Sequence, residues 1–240
     1  MTFRRGAGPL ISVLIPSRGR AAGLAKAVAS LYATALDRDL IETLIKVDVD
    51  DLESCATAHL LAKSGNIRVL QYGRGQGYAD LHLFINDLAA LSRGDWLFLF
   101  NDDAEIRTLE WEQVIRTLNV DHQHDCPEMC MLYASTDATK TDTSFPILRR
   151  EVYEVIGHMA GYPYVDEWLR AVMFFCRSAF RVPIEIAHDP IGAEAAGDPT
   201  TISTINAHQW IAGRQAITDR VRGMWEDVGK VLDYIDGRRR

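Results

Sequence analysis

The densest concentration of chemistry-bearing residues is the triplet Asn101-Asp102-Asp103, which directly follows the apolar run WLFLF at 96–100. Adjacent carboxylates repel one another, and a divalent cation offsets that repulsion. Carboxylates that leave coordination positions for water suit Mg2+ or Mn2+ when the same ion also meets a diphosphate. A local reading competes with this one: Asp102 or Asp103 caps a helix beginning near Leu109, a common use of Asp. On the triplet alone both readings stay open. A second acidic corner, Asp48, Asp50, Asp51 and Glu53, grows out of LIKVDV at 44–49. Asp50 there is either a ligand contact or a turn residue ahead of a helix. Arg74 sits in the glycine-rich turn GRGQG at 73–77. A guanidinium in such a turn suits a phosphate, although the turn lacks the spaced GxGxxG of dinucleotide folds.

The segments that must position these residues alternate in character. LISVLI at 10–15 is a continuous β-branched run of the kind a buried parallel strand needs, and Pro16 is expected to end it. Leu24, Ala27, Val28, Leu31 and Tyr32 then recur at helical spacing. Further strands are expected at 44–49 and 67–72. Leu81, Phe84, Ile85, Leu88 and Leu91 trace one face of a helix that Gly94 would close, and WLFLF follows as another strand. Strand-helix alternation of this kind implies an α/β domain, a mostly parallel sheet flanked by helices. Ligands of such sheets bind beyond the carboxyl ends of the strands, which singles out 16–18, 48–51, 73–77 and 101–103.

Later segments are mixed. Trp111, Val114, Ile115 and Leu118 support a helix, 129–135 a strand, 145–157 a strand running into a helix, 165–176 a helix and 181–188 a strand. Residues 206–235 read as a long amphipathic helix striped with Trp210, Ile217, Val221, Met224, Val228, Val231 and Ile235. Its opposite face mixes acids and bases, so the stripe suits packed core or a homodimer face better than a membrane anchor.

Composition narrows the functional classes. A chain of 240 residues, 48% of them hydrophobic, can bury one sizeable core and is neither disordered nor fibrous. The net charge of −7 disfavours nucleic acid as a bulk partner. No apolar segment is long enough to span a bilayer, and the opening MTFRRGAGPLISVLIP reads as a strand rather than a signal peptide. Four cysteines without a secretory signal suggest free thiols and a cytoplasmic setting. His122, His124, Cys126 and Cys130 offer four zinc-capable side chains, but without the usual paired-ligand spacing.

Taken together, ISVLIPSRGR with its following helix, the acidic strand end KVDVDD, and GYADLHLFINDLAALSRGDWLFLFNDDAEI resemble the N-terminal half of glycosyltransferase family 2 and its GT-A relatives. The resemblance covers about residues 10–106 well and the remainder loosely. Asn101 stands where the family's Asp-x-Asp motif usually begins. The resemblance implies a GT-A (nucleotide-diphospho-sugar transferase, Rossmann-like) domain over 1–200, with a nucleotide-sugar half at 1–106 and an acceptor half at 107–200. A C-terminal helical appendage would occupy 201–240.

It further implies that Pro16, Ser17 and Arg18 line a nucleoside pocket and that Asp48 or Asp50 bonds the nucleobase. Asp102 would touch ribose or metal, and Asp103, with His188, would hold Mn2+ or Mg2+. Asp166, with Glu167 second, would act as general base toward a hydroxyl acceptor; an acidic first helical turn favoured by the macrodipole is the alternative use of both. The implied donor is a nucleoside diphosphate sugar, a UDP-sugar foremost, transferred with inversion. Acceptor identity is not legible, a modified DNA base included. Two other readings share the features: a sugar nucleotidyltransferase, and a protein that binds nucleotide sugars without catalysis.

Overall fold

The computed structural model describes residues 10–118, 126, 128–136, 145–188 and 214–238, with side chains from Ile217 onward in the last segment. His122, His124, Trp210 and the expected boundary at 200 lie outside the described residues.

In chain order the elements are β1 (Ile11–Ser17), α1 (Ala21–Ala33), β2 (Ile41–Asp48), α2 (Leu52–Leu61), β3 (Ile67–Tyr72), α3 (Leu81–Leu91), β4 (Trp96–Leu99) and β5 (Ala104–Ile106). Then follow α4 (Trp111–Thr117), β6 (Met131–Thr136), β7 (Pro146–Arg149), α5 (Arg150–Ile156), α6 (Val165–Phe175), β8 (Ala179–His188) and α7 (Arg214–Arg238). One sheet runs β3-β2-β1-β4-β7-β6-β8-β5. The pairings among β3, β2, β1 and β4 are all parallel, whereas β7 is antiparallel to both of its neighbours.

Alternation along the strands builds two cores. Ile11, Val13 and Ile15 of β1, with Trp96, Phe98 and Phe100, face α1, α2 and α4. Leu14, Leu97 and Leu99 face α3, α5, α6 and α7. Successive side chains of a strand point to opposite faces, so a run apolar at every position needs helices on both sides. Trp96, Phe98 and Trp111 are fully buried, each contributing roughly 1.5–3 kcal/mol of burial.

Several expectations are corrected. Pro16 does not end β1; it pairs with Lys46 inside the strand. The reason is local: Leu10 and Leu14 turn their carbonyls to β4, and β4 stops at Leu99, so the N–H that proline lacks has no partner to lose. Gly94 does not cap α3, which ends at Leu91 with Ser92 extended. A Cβ on Gly94 would stand 2.6 Å from the Ser12 backbone nitrogen, so this glycine serves a close approach to β1. Leu91 is exposed, and Ala89 takes its place in the core. The last helix is described from 214 to 238, and of its stripe Val228, Val231 and Ile235 are buried while Ile217 and Val221 are exposed.

One topological step matters most for the site. β4 lies mid-sheet and β5 at its far edge, yet only 100–103 join them. The acid triplet therefore lies on a strap across the carboxyl end of the sheet. Ala104 pairs with His188 in the β5–β8 ladder, which sets Asp103 beside the end of β8.

Candidate functional site

Residues 17–20 clasp two acidic clusters. Ser17 and Arg20 reach the tip after β4, while Arg18 and Gly19 reach the corner after β2. Gly19 has φ +70°, a left-handed conformation that glycine adopts without steric cost.

At the tip, Asp102 is 6% exposed. Its Oδ2 accepts from the Ser17 hydroxyl at 2.6 Å, and its Oδ1 from Arg20 Nη1 at 3.2 Å. The same nitrogen lies 2.6 Å from Asp103 Oδ2. Asp103 Oδ1, shielded from solvent, is paired with His188 Nε2 at 3.2 Å. The two carboxyls diverge in proton affinity. Burial, aided by the neighbouring Asp103 charge, lifts Asp102 to about 6 against the donors Ser17 and Arg20. Burial acts on Asp103 too, but His188 and Arg20 outweigh it and hold this carboxyl below the ordinary range. Neither acid caps a helix: β5 intervenes, and α4 starts at Trp111 behind the left-handed Glu110.

The separation of Asp103 Oδ1 and His188 Nε2 tests the site for a metal. Two cis ligands of an octahedral ion with bonds of about 2.1 Å lie about 3 Å apart. This pair fits: an ion there would take over the contact between Asp103 Oδ1 and His188 Nε2. No three His, Cys, Asp or Glu side chains converge as a metal cage among the described residues. Asp102 in particular is turned to Ser17 and Arg20. Two protein ligands leave positions for water and phosphate oxygens, as Mg2+ and Mn2+ prefer.

At the corner, Asp48 is buried between two cations. Arg18 Nη1 is 2.6 Å from Asp48 Oδ2, and Lys46 contacts Asp48 Oδ1. The Lys46 ammonium also lies 3.4 Å from the Phe84 ring centroid, a cation–π contact. Asp50 receives both Arg18 terminal nitrogens, at 2.6 and 2.9 Å, and the Arg18 hydrogen bonds hold it below the ordinary range, with exposed Arg74 adding to the field. Asp51, not Asp50, caps α2: it accepts from Ser54 N–H at 3.2 Å and from Gly19 N–H at 2.6 Å.

The acceptor-side candidates separate. Asp166 and Glu167 both lie in the first turn of α6. Glu167 is tied to Arg220 of α7 at 2.5 Å. Tyr78, in the 3-10 turn before α3, has its hydroxyl pKa raised first by burial and next by the Asp166 charge. The Tyr78 and Tyr164 rings meet edge to face at 5.8 Å. Of the zinc-capable group, Cys126 donates to Glu128 at 3.2 Å, and Cys130 is buried at the entry to β6.

Sequence reasoning overlooked Arg20, Lys46 and Arg220. Lys46 carries a usable signal, since it shares a strand face with Asp48 two residues on. Arg20 and Arg220 carry none, because their partners lie 82–83 and 53 residues away. Asn86, part of the quoted resemblance, turns out to be a clamp: its side chain bonds the backbone of Met159 and Ala160.

No protein-family model matches the chain, and no curated protein matches it in sequence. Solved structures do. S. aureus TarS 1-349 in complex with UDP aligns at TM-score 0.58 and 12% identity, over 75% of this chain and 61% of that one. The mannosyltransferase PcManGT from Pyrobaculum calidifontis, in complex with GDP-Man and Mn2+, aligns at TM-score 0.60 and 12% identity, over 90% and 74%. The chain thus spans less than two thirds of the TarS structure. At this identity the likeness speaks for the fold, which is the GT-A-like glycosyltransferase fold expected from the sequence.

Proposed function

We propose that this chain is a glycosyltransferase that moves a sugar from a nucleoside diphosphate sugar to a hydroxyl acceptor, using Mn2+ or Mg2+. The observation that carries the reading is the Asp103–His188 pair, 3.2 Å apart, at the carboxyl end of the sheet. Such ends are where α/β sheets take nucleotides. The structural neighbours add support: one holds UDP, the other GDP-Man with Mn2+.

In this reading Asp103 and His188 hold the ion, which when bound neutralises the departing diphosphate. Ser17 and Asp102 face the ribose. Arg18, its fork closed on Asp50 and Asp48, lines the nucleoside pocket with Pro16, and Asp48 or Asp50 bonds the nucleobase. Arg74 meets phosphate oxygens. Asp166 takes the acceptor proton, with Glu167, bridged to Arg220, second. A single acceptor-side base suits direct displacement, hence inversion at the sugar.

No described helix is long and apolar enough to cross a membrane. All four cysteines are buried thiols, which supports a cytoplasmic setting. The exposed stripe of Ile217, Val221 and Trp225 is where we place self-association.

Incubation with UDP- and GDP-sugars tests the reading, with release of free nucleoside diphosphate followed with and without Mn2+. Mn2+-dependent release from at least one donor is expected; none from any, with no donor-induced thermal shift, overturns it. Asp166→Asn is expected to lower turnover about 10²-fold at unchanged donor affinity. Lost donor affinity instead would move Asp166 to the donor side.

A further inference from the structure

We infer that Arg20 is the tip's resident counter-cation, and that it makes binding of the divalent ion conditional on binding of the diphosphate. The inference rests on the tip assignment proposed above. One guanidinium nitrogen of Arg20 bridges the two acids, 3.2 Å from Asp102 Oδ1 and 2.6 Å from Asp103 Oδ2. The tip therefore holds two carboxylates against one permanent positive charge, with His188 beside Asp103. A divalent ion approaching Asp103 Oδ1 and His188 meets that charge on the far side of the same carboxylate. In a site this shielded, a like charge a few Å away weakens cation binding substantially.

The Arg20 backbone is held in place at the tip. Gly19, directly before it, is fastened to Asp51 by a 2.6 Å hydrogen bond. Arg20 itself is the N-cap residue of α1, so its backbone is fixed at the helix start. Its side chain is 19% exposed, open enough to meet a ligand beyond the strand ends. A diphosphate supplies the negative charge that the tip lacks when ion and guanidinium are both present. Its oxygens can accept from Arg20 while the ion takes Asp103. Each ligand then raises the affinity of the other by the same factor.

Titration of the full chain with Mn2+ alone, read by the electron paramagnetic resonance signal of the free ion, tests this against titration with UDP or GDP present. Wild type is expected to bind Mn2+ weakly alone and at least about tenfold more tightly with one of the two nucleotides. Arg20→Gln should bind Mn2+ alone about tenfold more tightly than wild type, with the nucleotide's effect reduced below about threefold. Arg20→Lys, which keeps the charge, should follow wild type. The inference is overturned if folded Arg20→Gln binds Mn2+ alone no more tightly than wild type. It is equally overturned if neither nucleotide tightens Mn2+ in wild type. Asp103→Ala separates the two levels of argument: loss of Mn2+ binding there supports the tip as the site, whereas unchanged binding sinks the tip assignment along with the role of Arg20.

Discussion

Two buried carboxyls stand at opposite ends of the sheet and are treated oppositely. Glu42, early in β2, is fully buried and accepts from the Ser12 hydroxyl, from the Arg93 backbone and side chain, and from Arg68. Burial pushes its pKa up, but these donors outweigh burial and hold it below the ordinary range. Asp102, on the strap after β4, is also buried but has one hydroxyl, a share in one guanidinium and a second carboxylate beside it, and its pKa rises to about 6. The lesson is that burial alone does not decide the state of an acid; the balance of burial against donors and neighbouring charges does. The Glu42 end is saturated and fastens β1, β2, β3 and the entry to β4. The Asp102 end is left short of positive charge where a ligand can supply it.

Substitutions sharpen that contrast. The largest effect is expected from Glu42→Ala, which leaves the buried Ser12 hydroxyl and the Arg93 N–H without their acceptor and frees the solvent-accessible Arg68 and Arg93: about 1–3 kcal/mol lost in urea unfolding, with Mn2+ affinity of the folded fraction unchanged. A loss below about 1 kcal/mol would mean that the network is ornamental. Asp103→Ala is expected to do the reverse. Transfer falls by at least about 10²-fold, while the melting temperature holds within a few degrees; wild-type activity in this variant would defeat the assignment. Asp102→Asn is expected to be more stable than wild type by about 1–2 kcal/mol at pH 8.

The sign of that last gain depends on pH. An acid whose folded pKa exceeds its unfolded value costs stability when ionised, so the cost is complete above about pH 6 and gone below about pH 4. The advantage of Asp102→Asn should vanish over that range. Glu42 has the opposite sign. Its contribution is present above its unfolded value of 4.5 and is lost as pH falls through the depressed folded value. On acidification the two variants should therefore approach wild type from opposite sides, Asp102→Asn from above and Glu42→Ala from below, and pH-independent offsets would break the comparison.

Much of the parallel half was legible because its strands are apolar on both faces. IRVLQY coincides with β3, and WLFLF contains β4. Pro16 misled because its tolerance depends on where the neighbouring strand stops, which no local pattern reveals. Asp103 and His188 were reachable through the resemblance, and the β5–β8 register supplies the physical cause of their meeting. Arg20 and Arg220 act through partners that only the folded chain brings near, and Glu42 lies before the strand expected at 44–49, whereas β2 begins at Ile41. The Glu167–Arg220 bridge, to a residue of the last helix, was likewise invisible in the sequence.

Gly23 sits in the first turn of α1, and a Cβ there would stand 2.6 Å from the Asp102 carbonyl oxygen. That clearance makes the helix a stop against which the strap rests. A single added methyl, Gly23→Ala, would force the strap's backbone off the helix while leaving every charge in place. Position 23 is thus a mechanical adjustment screw for the tip, able to detune its geometry without altering its chemistry.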